Sequence, residues 1–98
     1  MKPKTGIELI AAERRRQKEK EKWSLAHDRE CHTDGELASA AAVYALSGAG
    51  WKTKHLEEIY WPTEWDFKPK DPIRDLVRAG ALIAAELDRL QSQREGKQ

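Results

Sequence analysis

Most of the residue types that carry chemistry lie in one segment of the chain, from Trp23 to Leu37. This segment holds two histidines, the only cysteine and several carboxylates, which are the side chains that bind transition metals. A structural zinc site needs paired Cys or His ligands on both sides of a loop, whereas the only other histidine is His55. We therefore predict no metal ion and no cofactor. We predict instead a polar loop over residues 24–33 that recognises a ligand through His27, Asp28 and His32.

A helix start follows this loop, because Thr33 and Glu36 have the Thr-x-x-Glu spacing of a capping box. The pattern predicts Thr33 as the N-cap and a helix over about 34–47, which is alanine-rich and apolar on nearly all sides. Such a helix is typical of the centre of a bundle, and Gly48 and Gly50 are typical of a C-terminal cap. We expect this helix to hold the polar loop in place.

The first helix is predicted over about 5–23, with an apolar turn near its start followed by a charge run that begins at Glu13. Two interpretations of the charge run stay open. In the first, it is a solvated helix face with i,i+4 pairs such as Glu13 to Gln17. In the second, arginines turn inward and hold a phosphate, because planar guanidinium groups bind oxyanions through two hydrogen bonds. The second interpretation adds Arg14 and Arg16 to the predicted ligand contacts.

Residues 51–70 are predicted to form a short helix or an ordered loop, since Pro62 and Pro69 oppose a continuous helix or a central strand. Four aromatic residues lie between Tyr60 and Phe67, which is not the composition of a flexible linker. Two roles stay open for these rings: they fill the core, or they stack on a base. If they stack on a base, we expect the pocket to contain Trp61, Trp65 and Lys70.

The last helix is predicted over about 72–91, with Asp71 as its N-cap and Pro72 at its first position. Its apolar residues recur at steps of three and four and form a seam, which we expect to pack on the central helix. Gly80 costs about 1 kcal/mol against alanine in a helix interior, so we expect a helix or a ligand to approach closely there. Residues 92–98 are predicted to fray.

Length, charge and cysteine content exclude several classes of protein. A chain of 98 residues predicts a single domain over residues 1–98. Its 18 basic and 17 acidic residues leave a formal charge of +1, which favours neither sequence-specific nucleic-acid binding nor attraction to an anionic membrane. A single cysteine excludes an internal disulfide, and the apolar runs are far shorter than the roughly 20 residues of a membrane span. We expect a cytoplasmic protein without a leader sequence.

One class of enzyme has a comparable size and helical content. The all-α nucleotide pyrophosphohydrolases bind magnesium and a triphosphate through Glu-Glu-x-x-Glu and Glu-x-x-Asp motifs. Here Glu57-Glu58 is followed at the corresponding step by Trp61, and Glu86-Leu-Asp88 is one residue short of the second motif. This enzyme stays an alternative, for which three acids would have to meet inside the bundle: Glu36, Asp75 and Glu86.

Three stretches of the sequence together carry a resemblance: Ala12-Glu-Arg-Arg-Arg-Gln17 with Trp23 and His27-Asp28; His32-Thr-Asp-Gly-Glu-Leu-Ala38 with Tyr44-Ala45; and Trp61-Pro, Trp65, Lys68-Pro-Lys-Asp71 and Arg74-Asp-Leu-Val-Arg-Ala-Gly-Ala-Leu-Ile-Ala-Ala-Glu86. Over about residues 7–90 the chain resembles a family of small tailed-phage and prophage proteins. Members usually have a glycine before the tryptophan and a paired acid after the histidine, where this chain has Lys22 and Arg29. That difference argues against an acid-dependent metal site. The order of elements is also similar to ryanodine-receptor repeat domains, which are binding modules.

Together these patterns predict an all-α fold, a small three- to four-helix bundle with an ordered aromatic and proline-rich loop. The resemblance implies a phage-encoded protein in the cytoplasm of an infected bacterial host. With the residues named above, it favours a non-enzymatic protein that recognises, and sequesters, a nucleotide-derived small molecule of host defence. Apolar surface on both long helices predicts a homo-oligomer. The alternatives are the magnesium-dependent pyrophosphohydrolase and a protein-binding inhibitor of a host enzyme, with the charged first helix as its contact face.

Overall fold

The computed structural model describes residues 4–20, 35–62 and 65–96, and these ranges contain four helices and no strand. The helices are α1 (Gly6–Lys20), α2 (Glu36–Gly48), α3 (Lys54–Tyr60) and α4 (Pro72–Gly96). The predicted small all-α bundle is therefore confirmed. Not one of these four helices is both long enough and apolar enough to cross a membrane.

α1 begins at a reciprocal cap formed by Thr5 and Glu8. The Thr5 backbone N–H donates to Glu8 Oε1 at 2.9 Å, and the Glu8 backbone N–H donates to Thr5 Oγ1 at 3.2 Å. The hydrogen bonds from Thr5 lower the pKa of Glu8, because they favour the ionised carboxylate. The Thr-x-x-Glu spacing that predicts a cap at Thr33 thus also occurs at Thr5, where it forms a capping box.

α2 begins at Glu36, slightly later than predicted, and is preceded by Gly35 with a φ of 80°. This φ lies in the left-handed region that favours glycine. The Ser39 backbone N–H donates to the Gly35 carbonyl at 2.9 Å, so the first turn of the helix closes on Gly35. The predicted N-cap, Thr33, lies outside the described residues.

α2 ends in a Schellman motif, as its glycines predict. Gly50 has a φ of 89°. The Trp51 backbone N–H donates to the Leu46 carbonyl at 3.0 Å, and the Gly50 backbone N–H donates to the Ser47 carbonyl at 3.0 Å. These two hydrogen bonds satisfy carbonyl groups that the last helical turn leaves without a partner inside the helix.

α4 begins as predicted, with Asp71 as its N-cap and Pro72 at its first position. Asp71 Oδ1 accepts the Arg74 backbone N–H at 2.9 Å. The helix continues to Gly96, beyond the predicted end near residue 91. It does so because residues 91–95 contain neither proline nor glycine, so nothing in the sequence ends the helix earlier.

The core lies between α2 and α4 and consists mainly of small side chains, which let the two helices approach closely. Its buried members are Leu37, Ala40, Ala41 and Tyr44 from α2 and Ala79, Leu82 and Ala85 from α4. The prediction that the apolar seam of α4 packs on α2 is therefore wrong for most of the seam, because the alanine face of α4 fits the alanine face of α2 more closely. Leu76 is the exception, since its side chain lies against Gly48 of α2. The large seam residues stay 47–67 % exposed: Ile73, Leu76, Ile83, Leu87 and Leu90.

Among the four described helices, α2 and α4 are the two inner ones. α4 packs against α1 and α2, α2 packs against α4 and α3, and no comparable packing joins α1 to α2. α2 thus shares with α4 the central position that was predicted for α2 alone. α1 reaches α4 because Gly80 has no side chain: a Cβ atom at this position would lie 2.5 Å from Ile10 Cδ1. This contact confirms the close approach predicted at Gly80.

Candidate anion-binding groove

A buried carboxylate, Glu13, lies where α1 meets α4. The residue is only 3 % exposed. Arg16, one turn later in α1, donates to both of its oxygens, from Nε to Oε1 at 2.8 Å and from Nη2 to Oε2 at 2.8 Å. Arg74, on α4, places its Nη1 3.0 Å from Glu13 Oε1. Glu13 thus joins the guanidinium groups of two helices.

Two opposing effects act on the pKa of Glu13. Burial raises it, because the charged form loses hydration. The hydrogen bonds from Arg16 and the positive charges of Arg16, Arg74 and Arg78 lower it. Together the arginines outweigh burial and hold the pKa below its ordinary value of 4.5. Glu13 is therefore ionised at neutral pH, and it pairs with the arginines as a carboxylate.

A groove of about 350 Å³ opens beside this cluster, between α1 and the N-terminal end of α4. Its volume is at the lower end of the roughly 300–1,000 Å³ that is typical of small-molecule sites. Its apolar lining is Leu9, Ala12, Ile73 and Val77, and its charged lining is Glu13, Arg16, Asp71 and Arg74. The groove therefore combines a hydrophobic surface with two guanidinium groups.

Helical periodicity explains why these residues line one groove. Leu9, Glu13 and Arg16 follow one another at steps of four and three, so they share one face of α1. Ile73 and Val77 are four residues apart and share a face of α4 in the same way. The contact between Ile10 and Gly80 brings the two faces together.

The charges that line the groove balance in number but differ in exposure. The side chains of Arg16 and Arg74 are 34 % and 32 % exposed, whereas that of Glu13 is 1 % exposed. Arg78 adds a third positive charge near Glu13, although its Nη1 donates to a tyrosine of α2 at 3.0 Å. Asp71 supplies a second carboxylate, whose Oδ1 caps α4. The two arginines and two carboxylates of the lining cancel, and Arg78, outside the lining, brings the local sum to one positive charge. The planar guanidinium donors of Arg16 and Arg74 fit a phosphate or a carboxylate.

The two ligand contacts predicted on α1, Arg14 and Arg16, occupy different places in the structure. Arg16 lines the groove. Arg14 is 7 % exposed and turns inward, but it pairs with α4, its Nη2 lying 3.6 Å from Asp88 Oδ2. Three further predicted contacts lie outside the described residues: His27, Asp28 and His32.

The expectation of a solvated charge run is wrong for three residues of its first half, whereas Arg15 is exposed as expected. Glu13, Arg14 and Gln17 are 3 %, 7 % and 3 % exposed. Gln17 Nε2 donates to Glu13 Oε2 at 3.4 Å, so the i,i+4 pair expected from their spacing is present, but it is buried. Burial is tolerated because α4 supplies groups of opposite charge, Arg74 for Glu13 and Asp88 for Arg14.

Trp61 and Trp65 pack into an aromatic cluster and are not among the residues that line the groove. The ring centroid of Trp61 lies 5.4 Å from that of Tyr44, 4.8 Å from that of Phe67 and 6.2 Å from that of Trp65. Trp61 Nε1 donates to the Trp65 carbonyl at 2.7 Å. The rings are thus occupied with one another, and of the two predicted roles the structure favours core filling over base stacking.

Two buried side chains hold the loop that precedes α4. The Tyr44 hydroxyl accepts the Lys68 backbone N–H at 3.2 Å. Asp75, 1 % exposed, accepts the Lys70 backbone N–H at 2.7 Å and the Ser47 hydroxyl at 2.9 Å. Lys70, a predicted ligand contact, is exposed and contributes its backbone to this arrangement, and it does not line the groove.

The acids of the alternative magnesium site are not gathered in the part of the chain that the structure describes. Asp75 is hydrogen-bonded as above, and Glu86 pairs with Arg89. No three His, Cys, Asp or Glu residues in the described ranges are grouped so that they could hold a metal ion. The expected meeting of Glu36, Asp75 and Glu86 is therefore not observed there.

The sequence-based prediction of the site includes Arg16 and omits Glu13 and Arg74. A signal for Glu13 exists, since it is an acid three residues before Arg16 at the head of three arginines. Arg74 has no such local signal, because it joins the cluster only through the packing of α4 on α1.

Comparison of the chain with protein-family models, with curated proteins and with solved structures gives no match. The geometry of the groove and the chemistry of its side chains are therefore the basis for a functional proposal.

Proposed function

We propose that this protein binds an anionic small molecule, whose phosphate group is held by Arg16 and Arg74 in the groove between α1 and α4. One observation carries the proposal: two guanidinium groups, each about a third exposed, meet at one buried carboxylate. Binding alone, without cleavage of the ligand, is the function that these groups support.

Glu13 supports the proposal because it orients both arginines before a ligand arrives. Immobilising a long side chain costs about 0.5–1.5 kcal/mol on binding, and contacts that already restrict the side chain reduce this cost. Arg16 is held by two hydrogen bonds to Glu13, and Arg74 by one ion pair. An incoming phosphate then forms charge-assisted hydrogen bonds with donors that are already aligned.

The lining of the groove narrows the class of ligand. Apolar side chains from both helices lie beside the arginines, so an uncharged part of the ligand is accommodated next to its phosphate. A nucleotide or a nucleotide fragment combines these two features. Trp61 and Trp65 are packed in their own cluster, so stacking of a base on tryptophan is no part of the proposal.

The resemblance to phage proteins extends the proposal. A phage-encoded protein in the cytoplasm of its host would use such a groove to withhold a nucleotide-derived signal from a defence system. That role requires affinity and no turnover. The resemblance alone supports this phage role, whereas the contacts of Glu13 support anion binding in the groove.

Thermal denaturation of the purified protein tests binding, with inorganic phosphate, pyrophosphate, AMP, ATP and a cyclic dinucleotide at one ionic strength. A ligand at about 100 times its Kd stabilises the folded state by about 2.7 kcal/mol. For a domain of this size, that corresponds to a rise in Tm of about 10–20 °C. The ligand is then recovered from the denatured protein. Intact ligand supports binding alone, and release of pyrophosphate from ATP would support the pyrophosphohydrolase instead.

Variants then locate the site, with affinity measured by isothermal titration calorimetry so that changes in stability do not enter. Arg74→Gln should weaken binding by about 10- to 100-fold, because a hydrogen bond to a charged group contributes about 1.5–3 kcal/mol. Arg15→Gln is the matched control, since it removes the same charge from an exposed neighbouring position. Asp71→Asn should tighten binding, because asparagine caps a helix as well as aspartate does and a repelling charge is lost.

The proposal fails if no anion of the panel raises the Tm. It fails equally if Arg15→Gln weakens binding as much as Arg74→Gln does, because attraction by net charge alone would then explain the affinity.

A further inference from the structure

α4 carries a second feature, an apolar face on its solvent side that shares only Ile73 with the groove. We call this face the α4 seam, and its large residues, which are 47–67 % exposed, are Ile73, Leu76, Ile83, Leu87 and Leu90. Ile7, in the first turn of α1, is 82 % exposed. Contiguous apolar surface of this kind marks an interaction site more often than a solvated surface does.

The spacing of the α4 seam indicates what kind of surface it fits. Its residues, together with Gly80, recur at steps of three and four, which are the a and d positions of a heptad repeat. Ile10 packs over Gly80, in the middle of the seam. From Ile73 to Leu90 the seam is about 26 Å long. A narrow a/d stripe of this length fits the corresponding stripe of another helix.

The α4 seam is also free of charge. The charged side chains of α4 between residues 74 and 89 contact other groups of the chain: Arg74 contacts Glu13, Asp75 Ser47, Arg78 Tyr44, Asp88 Arg14, and Glu86 and Arg89 contact each other. A partner surface must then be equally apolar and equally uncharged to avoid burying an unpaired charge. A second copy of the α4 seam meets both conditions, and a two-fold dimer requires this kind of self-complementarity.

We propose that two copies of this chain form an antiparallel dimer through their α4 seams. Arg94, which is exposed, occupies the next heptad position after Leu90. A parallel pair would bring the two Arg94 side chains together, whereas an antiparallel pair places them at opposite ends and opposes the helix dipoles. The formal charge of +1 per chain adds little long-range repulsion. The dimer does not rest on the proposed anion binding, and its seam shares only Ile73 with the groove.

The size of the α4 seam sets the expected affinity. A standard interface uses about 20–30 residues on each side, and this seam provides far fewer. We therefore expect a weak dimer with a Kd on the order of 1–100 µM. Sedimentation velocity between about 5 and 500 µM protein covers this range.

Leu87→Glu, in the C-terminal half of the seam, should raise the Kd of the dimer by at least about 30-fold, as loss of an anchor of a small interface does. Ile59→Glu is the matched control, because Ile59 lies on α3 and is 56 % exposed, whereas Leu87 is 55 % exposed. Circular dichroism checks that each variant is folded, and Leu90→Glu is a second seam variant. Neither seam variant changes a residue of the groove, so both should bind pyrophosphate as the wild type does.

Cysteine cross-linking tests the orientation, in a chain that carries Cys31→Ser. In an antiparallel pair the two Ile83→Cys residues lie near the two-fold axis and should form a disulfide on oxidation. The two Leu90→Cys residues lie about 26 Å apart, far beyond the roughly 7 Å between Cα atoms that a disulfide spans. A disulfide at Leu90→Cys would overturn the antiparallel arrangement.

Two results would overturn the dimer itself. One is a wild-type protein that remains monomeric at about 500 µM, well above the expected Kd. The other is equal weakening of the dimer by Ile59→Glu and Leu87→Glu, because the contact would then not be specific to α4.

Discussion

Glu13→Gln is the substitution that most directly probes the cluster on which the groove is built. Glutamine keeps the shape of the side chain and removes its charge. Arg16 then loses a bidentate ion pair at 2.8 Å, and Arg74 loses an ion pair at 3.0 Å. The glutamine N–H₂ group is a donor, so one side of the new amide faces guanidinium donors without a hydrogen bond.

Burial sets the size of the effect. Removing one partner of a fully buried ion pair costs about 3–5 kcal/mol. Here the carboxylate is buried but the two arginine side chains are 34 % and 32 % exposed, so water replaces part of the lost interaction. We therefore expect a smaller loss, about 2–3 kcal/mol, which lies at or below the lower end of that range. For a domain of this size this corresponds to a fall in Tm of about 8–24 °C.

The pH dependence gives the prediction a second, independent part. Because the folded-state pKa of Glu13 lies below its ordinary value of 4.5, its ionised form stabilises the protein above that pH. This contribution disappears as the pH falls from 4.5 through the lower folded-state pKa. The difference in stability between wild type and Glu13→Gln should therefore be constant from pH 7 to pH 5 and should shrink below pH 4.5.

Urea unfolding, followed by tryptophan fluorescence at several pH values, measures both parts. Glu58→Gln is the matched control, because the Glu58 side chain is 66 % exposed and lies 3.9 Å from His55 in a surface pair. That control should change the free energy of unfolding by less than about 0.5 kcal/mol. The reasoning is refuted if Glu13→Gln has an equally small effect at pH 7, or if the difference from wild type widens in acid.

Three further substitutions test the packing that positions the groove, each by urea unfolding. Gly80→Ala should destabilise by about 1–2 kcal/mol, since overpacking on Ile10 exceeds a gain of about 1 kcal/mol in helix propensity; a more stable variant would mean that α1 yields freely. Tyr44→Phe should cost about 1–2 kcal/mol, because its hydroxyl accepts two hydrogen bonds; no loss would mean that the hydroxyl does not hold the loop. Thr5→Ala should cost about 1 kcal/mol, and Thr5→Ser should restore most of it, unless the capping box is irrelevant to stability.

Helix ends were predictable where a few adjacent residues decide them. Asp71 and Pro72 start α4 as expected, because a capping carboxylate and a fixed φ act within one turn. Gly50 ends α2 for the same local reason. The sequence pattern of a capping box is less decisive. Thr5 and Glu8 form such a box at the start of α1, although their Thr-x-x-Glu pattern is no stronger than the one at Thr33.

Packing partners were less predictable, since periodicity shows that a face is apolar and not what covers it. In α4, the large apolar side chains of the seam show a clearer spacing of three and four residues than the alanine face does. Even so, α2 packs on the alanine face, which permits a closer contact. Arg16 was expected at a site because of its neighbours in sequence. Arg74 was not, because it meets Glu13 only after α1 docks on α4. The ligand contacts expected at His27, Asp28 and His32 stay predictions.

Whether Arg16 and Arg74 hold an anion is tested most directly by NMR of the arginine Nε–H groups in ¹⁵N-labelled protein titrated with pyrophosphate. The proposal predicts saturable shifts of the Arg16 and Arg74 signals with one common Kd, while the signal of the exposed Arg15 stays nearly constant. Pyrophosphate that leaves the Arg16 and Arg74 signals unchanged, or that moves all arginine signals alike without saturation, would contradict it.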